Sequence, residues 1–266
     1  GGVGQGRHPG GIQRTTRRLH LTPVGAVYYE RTVSILDALT EADRAVGELT
    51  TSPRGLLRVA SPMSLGLTTI APAVAAFLVR YPEVKIELEM NDRVVDIVRE
   101  GFDVCVRGGG ALADSSLIAR RLARIDRVVV GAASYLERAG DPRAPADLAK
   151  HRCLVYSLSS SPTRWTFVKG TTSKTVEIDG PLRVNSSLAL VQAALAGVGL
   201  ALVPVLGVQR ELSEERLVPV LRDWASEPQA LHAIYPRHRE SSQVLRLFVE
   251  HLARWLRGAG ARAGDR

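Results

Sequence analysis

Apolar residues recur at Val24, Tyr28, Ile35, Leu39, Ala42, Val46 and Leu49. The intervals are threes, fours and one seven, which is a single stripe along a helix. A helix is therefore predicted over residues 23–50, with acids and arginines on its other faces. One narrow stripe on so long a helix needs a partner. The natural one is a second copy, in a coiled-coil-like dimer seamed by Val24, Tyr28, Ile35, Leu39, Ala42 and Val46. Packing on the body of the same chain is the alternative. The run T-T-S-P-R-G at 50–55 breaks the helix and reads as a hinge.

Beyond the hinge the pattern changes to alternating strands and helices. Strands are predicted at 56–60, 84–90 and 102–106, with helices at 68–81 and 94–100 between them. Pro82 and Gly101 close those helices. A strand–helix–strand–helix–strand series implies a parallel sheet with right-handed crossovers. A second series follows, with strands at 127–132, 153–157, 164–168, 175–178 and 182–184, a helix at 187–196 ended by Gly197-Val198-Gly199, and a strand at 200–203. A strand at 230–235 and an amphipathic helix at 242–257 are left over. Two α/β units in series, with this strand and helix besides, suggest a two-lobed receptor.

With 266 residues, 45% of them hydrophobic and 23% charged, the composition is that of a globular chain with real cores. No apolar run is expected to approach the roughly 20 uncharged residues of a membrane span. No secretory pattern is visible, so a cytoplasmic location and no membrane partner are expected. The net charge of +8 favours polyanionic partners, nucleic acid first. Its placement sharpens this: Arg7, Arg14, Arg17 and Arg18 fall in the first 18 residues with no acid among them. Cys105 and Cys153 lie in apolar, strand-like runs at a separation that fits no metal motif. They read as buried reduced thiols, with a redox pair as the alternative.

Chemistry of catalysis finds little footing. No G-x-S-x-G elbow, H-E-x-x-H or paired-carboxylate motif occurs. His20, His151, His232, His238 and His251 are scattered, and His8 lies in a glycine-rich lead. No catalytic residue, metal site or cofactor is expected, and the chain is not expected to be an enzyme.

The stretch R-T-T-R-R-L-H-L-T-P-V-G at 14–25 carries more information. Arginines precede a short alternating strand, Leu19-His20-Leu21. Thr22 then offers a capping hydroxyl, and Pro23 is pre-set for a first helical turn. This resembles the wing and linker-helix start of LysR-type transcriptional regulators. The likeness continues through L-R-V-A-S-P-M-S-L-G at 57–66, R-Y-P-E-V at 80–84, E-G-F-D-V-C-V-R-G-G at 100–109 and A-A-L-A-G-V-G-L-A-L-V-P at 193–204. Each motif is weak alone; their order and spacing carry the assignment, which covers residues 14 to about 257.

The resemblance implies an α/β architecture: a remnant of a winged helix-turn-helix, a long linker helix, and a two-lobed effector domain like a type-2 periplasmic binding protein. The expected segments are 1–22 (disordered tail and wing remnant), 23–50 (linker and dimerisation helix), 54–128 with 233–258 (first lobe), 129–232 (second lobe) and 259–266 (disordered tail). In the family a helix-turn-helix of about 50 residues comes before the wing and docks in the major groove. Here Gly1 to Gln13 precede it, a glycine-rich stretch without apolar period that is read as disordered. Promoter binding by this chain is accordingly expected to be weak or non-specific. Arg14, Arg17, Arg18 and Thr22 would supply phosphate contacts.

In open α/β sheets, ligands sit beyond the carboxyl ends of strands, near helix N-termini. Four strand ends carry suitable groups: Ser61, Met63 and Ser64; Arg107 and Gly108; Asn185 and Ser186; and Pro204. The Arg107 guanidinium suits a carboxylate. Ser61, Ser64 and Ser186 are also ordinary caps, and Trp165 is either a cleft wall or core. By the resemblance, these positions contact a small anionic effector, and the partners are promoter DNA, the effector and further copies of the chain in a homodimer or homotetramer. A stand-alone cytosolic small-molecule-binding protein with no DNA role is the rival reading.

Overall fold

The computed structural model describes residues 12–15, 18–47, 53–108, 116–227 and 229–264. The chain divides into two units, residues 1–52 and 53–266. In the first, strand β1 (Ile12–Thr15) pairs antiparallel with β2 (Arg18–Leu21), Ile12 opposite Leu21 and Gln13 opposite His20. Ile12 and Gln13 were expected in the disordered lead and are strand instead, because the backbone groups of β2 need a partner and Ile12 suits a pleated surface. The rest of that lead lies outside the described residues. Helix α1 (Pro23–Gly47) follows. Its start is capped as expected: Thr22 Oγ1 accepts the Gly25 N–H at 3.0 Å, and Thr22 O accepts that of Ala26 at 2.8 Å.

The second unit opens with β3 (Gly55–Ser61) and the short helix α2 (Met63–Leu65). A π-helical turn at Gly66–Ile70 leads on to α3 (Ala71–Arg80), β4 (Val84–Met90), β5 (Val104–Gly108) and β6 (Leu117–Ile125). The second lobe runs through β7 (Arg127–Gly131), α4 (Ala133–Ala139), β8 (Cys153–Tyr156), β9 (Arg164–Lys169), β10 (Thr172–Glu177), β11 (Arg183–Val184), α5 (Ser187–Leu195), β12 (Leu200–Pro204), α6 (Gln209–Ser213), β13 (Val218–Val220) and β14 (Ala225–Ser226). Strand β15 (Gln229–Pro236) and helix α7 (Gln243–Gly264) return to the first lobe.

Each lobe is built on a five-stranded sheet, in the orders β4-β3-β5-β15-β6 and β11-β8-β12-β7-β13. A three-stranded sheet, β10-β9-β14, adds to the second lobe. The expected all-parallel arrangement is corrected to a mixed one. Strands β3, β4 and β5 run parallel, but β15 is antiparallel to both β5 and β6. In the second sheet β8, β11 and β12 run parallel, with β7 antiparallel to β12 and β13. The chain passes between the sheets at Asp126 and again between Ser226 and Gln229, so β15 joins the first sheet from Gln229, before the expected 232/233 boundary.

Helices α3 and α7 cover one face of the first sheet. Val244, Leu245, Phe248, Val249, Leu252, Ala253 and Leu256 of α7 are buried there with Ile70, Phe77, Val59 and Val104. Phe77 meets Phe248 edge-on at 5.2 Å. The opposite face carries a smaller cluster of Ala60, Ile97, Phe102, Cys105 and Ile234. Trp165 is core, packed with Phe167 and Ile178 in the second lobe.

Three further expectations change. Residues 94–100 make no helix but a turn that ends in Glu100 N–H to Asp96 O at 3.0 Å. The side chains of Asp96 and Glu100 take the Arg99 and Asp96 N–H groups, competing with helix propagation. Strand β6 was not anticipated, because a bulge opposite Leu231/His232 breaks its alternation. Finally, Met63–Arg80 is long and apolar enough, by length and composition, to cross a membrane, contrary to expectation. Its inner residues Ile70, Ala73, Val74 and Phe77 are packed into the first core, and a core helix meets the same criteria.

Candidate effector site

The carboxyl ends of β3, β4 and β5 point out of one edge of the first sheet, and those of β8, β11 and β12 out of one edge of the second. Among the described residues, the two edges meet in one side-chain hydrogen bond. Ser187, the first residue of α5, donates its hydroxyl to Ser64 Oγ of α2 at 2.5 Å. Ser64 is thus placed at the boundary between lobes. Met63, its neighbour, is 39% exposed.

Ser61 is not at that boundary. It is 3% exposed, and a Cβ on Gly66 would stand 2.5 Å from its Oγ and 2.6 Å from Met90 Cγ. The hydroxyl is sealed beneath the helix start, where a glycine is needed for the close approach. Neither Ser61 nor Ser64 caps α2. That role falls to Asp92, whose Oδ1 accepts the Met63 N–H at 2.9 Å. Ser186 stands at the N-cap of α5 but its side chain makes no capping bond, and Asn185 beside it is exposed. Pro204 closes β12 opposite Arg127 of β7.

Asp92 and Tyr156 are the residues that sequence reasoning missed. Burial raises the Asp92 carboxyl against the lowering effect of the Met63 N–H. Burial also pushes the Tyr156 phenol up to about 12, and the charge of Asp92 adds to it, so a first-lobe acid faces a second-lobe phenol. The rule applied to other strand ends would have found both: Asp92 lies two residues past β4, and Tyr156 is the last residue of β8.

Arg107 is half-buried on β5, directly opposite His232 of β15, and its charge partly offsets the burial that pushes the Cys105 thiol up to about 11. Gly108 follows it, opposite Leu231. Arg107 belongs to the sheet face of Cys105, whereas Ser61 alternates onto the other. The predicted effector residues therefore divide between the interlobe contact, the interior and the far sheet face.

Cys105 and Cys153 are free and buried. His251 Nε2 lies 2.8 Å from Ala73 O, and His151 Nδ1 lies 3.2 Å from the Tyr135 hydroxyl. In the first unit, Arg14 and Arg18 lie in the β1–β2 hairpin, Arg17 lies outside the described residues, and Thr22 is the cap of α1. Of the helix stripe, Val24, Tyr28 and Ile35 are 61%, 75% and 68% exposed. Leu39, Ala42 and Val46 continue the α1 backbone, with side chains outside the described set.

Residues 50–257 match the LysR substrate binding domain family. The chain is 36% identical over 244 residues to YhjC of Escherichia coli K12, an uncharacterised HTH-type transcriptional regulator, covering 91% of this chain and 81% of that one. It is 34% identical over 245 residues to an HTH-type transcriptional regulator of Xanthomonas campestris pv. campestris, covering 91% and 71%. Among solved structures, CrgA of Neisseria meningitidis, described as a LysR-type transcriptional regulator, superposes with a TM-score of 0.69 at 29% identity, covering 92% and 83%.

Proposed function

The chain belongs to the LysR family of transcriptional regulators, and we propose that it senses a small organic anion held between the two lobes of its effector domain. Regulators of this family bind DNA, respond to small-molecule effectors and oligomerise; they are generally not enzymes. The observation that carries the proposal is the Ser187–Ser64 bond, where the strand-end edges of both lobes converge. Two hydroxyls can exchange one another for a ligand oxygen at little cost, so the contact is easily replaced by an effector. The net charge of +8 supports an anion.

In this reading the partners are promoter DNA, the effector and further copies of the chain, in the cytoplasm. The exposed Val24, Tyr28 and Ile35 of α1 supply the dimer seam, and Arg14, Arg17, Arg18 and Thr22 supply phosphate contacts. Effector binding shifts the lobes between open and closed arrangements, and the assembly responds only by the effector's differential affinity for the two. The test is a thermal-shift screen of small carboxylates, neutral polar compounds and amines on the intact chain. An anion is expected to raise the melting temperature, and S64A and S187A are expected to change its affinity. A screen in which only neutral or cationic compounds bind would remove the anion from the reading; one with no binder would remove the sensor.

A further inference from the structure

On the face of the first sheet turned away from α3 and α7, three basic residues stand on adjacent strands. His232 of β15 is directly opposite both Arg107 of β5 and Arg121 of β6. Directly opposed residues share a face, so the three side chains form a row. The bulge beside His232 makes this possible. It places both Leu122 and Ala123 against the core under α7 and turns Arg121 to the other face, where it is exposed. Cys105 and Ile234, each two residues along the same face, belong to the apolar cluster with Ile97 and Phe102. The row therefore borders a low-dielectric patch, where a charge-assisted bond is stronger than in water.

None of Arg107, Arg121 and His232 forms an ion pair or a side-chain hydrogen bond with any described residue. Basic groups set directly opposite one another repel, and arginine cannot relieve this by losing its proton. Cross-strand neighbours elsewhere in the same sheet are balanced, as Arg58 is by Glu87 on the adjacent strand at 3.0 Å. A fold that keeps an unbalanced row is one whose counter-charge arrives from outside.

We propose that Arg107, His232 and Arg121 form an anion-binding row that takes a small organic dicarboxylate. The two arginines stand two strand spacings apart, about 9.6 Å at the backbone. Each guanidinium fork matches one carboxylate, with His232 between them. The inference rests on the anionic reading above but places the anion on this sheet face, apart from the Ser187–Ser64 contact: it names the anion's class and gives His232 and Arg121 a binding role beside Arg107.

The test is isothermal titration of the intact chain at fixed ionic strength with succinate, glutarate, acetate and inorganic phosphate. Succinate or glutarate is expected to bind at least about tenfold more tightly than acetate or phosphate, because only a dicarboxylate reaches both arginines. R121Q is expected to weaken that binding about tenfold or more with a melting temperature in the absence of ligand no lower than that of the wild type, since Arg121 is exposed and its repulsion is relieved; R121K should recover part of the binding. H232Q supplies a second, independent loss. Dicarboxylate binding that R121Q and H232Q leave unchanged overturns the row but leaves an anionic effector standing. Phosphate or acetate binding as tightly as the dicarboxylates overturns the assigned class. A chain that binds no anion at all overturns both the row and the anionic reading.

Discussion

Ser187 and Ser64 lie 123 residues apart in sequence and join the two lobes through a hydroxyl–hydroxyl hydrogen bond of 2.5 Å. A bond of this kind contributes about 0.5–1.5 kcal/mol net, a factor of roughly 2–10 in a two-state equilibrium. It favours the arrangement of the lobes in which the two hydroxyls meet, without locking them there. S187A and S64A are each expected to lower the population of that arrangement by about that factor. The double variant should be no more open than the worse single one, because both remove the same bond. Small-angle scattering of the three variants measures this, and a set of profiles identical to wild type would make the contact incidental.

Asp92 makes the stability of the chain sensitive to pH. Its carboxyl is raised by burial, so on acidification it takes up its proton in the folded chain before it does so in the unfolded one. Above the ordinary carboxylate range the unfolded chain has lost that proton while the folded chain still holds it. Stability therefore falls as pH rises through this window. D92N retains an oxygen for the Met63 N–H and removes the charge. Wild type and D92N are expected to melt alike near about pH 3 and to separate at neutral pH, with D92N the more stable. Ultraviolet titration should also show Tyr156 ionising at lower pH in D92N, since the charge of Asp92 adds to what burial does to that phenol.

The sequence made the periodic elements plain. Residues 84–90 alternate cleanly because β4 is an edge strand with one face on the core, and Lys85, Glu87 and Glu89 point outward. It hid β6, because the bulge places Leu122 and Ala123 on one face and destroys the period of two. It also suggested a helix at 94–100, where the side chains of Asp96 and Glu100 capture backbone N–H groups. Residue by residue, the strand-end rule pointed to Ser64, which the structure sets against Ser187, but it could not tell that Ser61 is sealed under Gly66. The neighbours of Arg107 are set by strand register, which no local pattern encodes: His232 is 125 positions away in the chain, yet directly opposite in the sheet.

The two cysteines should be chemically quiet. Burial pushes Cys105 up to about 11 and Cys153 up to about 12, with the charge of Asp179 adding to the latter. The thiolate is the reactive form, so at about pH 8 the folded chain holds almost none. A disulfide exchange reagent is expected to label neither thiol in the native protein and both after denaturation in guanidinium. Rapid labelling of one thiol in the folded state would reopen the redox reading for that site.

The chain crosses between the lobes at Asp126 and again after Ser226, and these crossings are tied together. Ser226 Oγ donates to Arg127 O at 3.0 Å, and Val205 N–H donates to Asp126 O at 2.9 Å. Ser226 is 5% exposed, so its removal takes a buried hydroxyl's bond from the Arg127 carbonyl. The Arg127 side chain spans toward the same segment: its guanidinium is held below the usual arginine range by burial, with Glu227 opposing. S226A is expected to destabilise the chain by about 1–3 kcal/mol, visible as a lower denaturant midpoint with an unchanged slope. Because the bond lies at the start of β7 in the second lobe, amide exchange should speed up at Arg127–Gly131 and spare the buried residues of α7 in the first. Uniform acceleration across both lobes would show instead that Ser226 supports the global fold and has no particular part in the hinge.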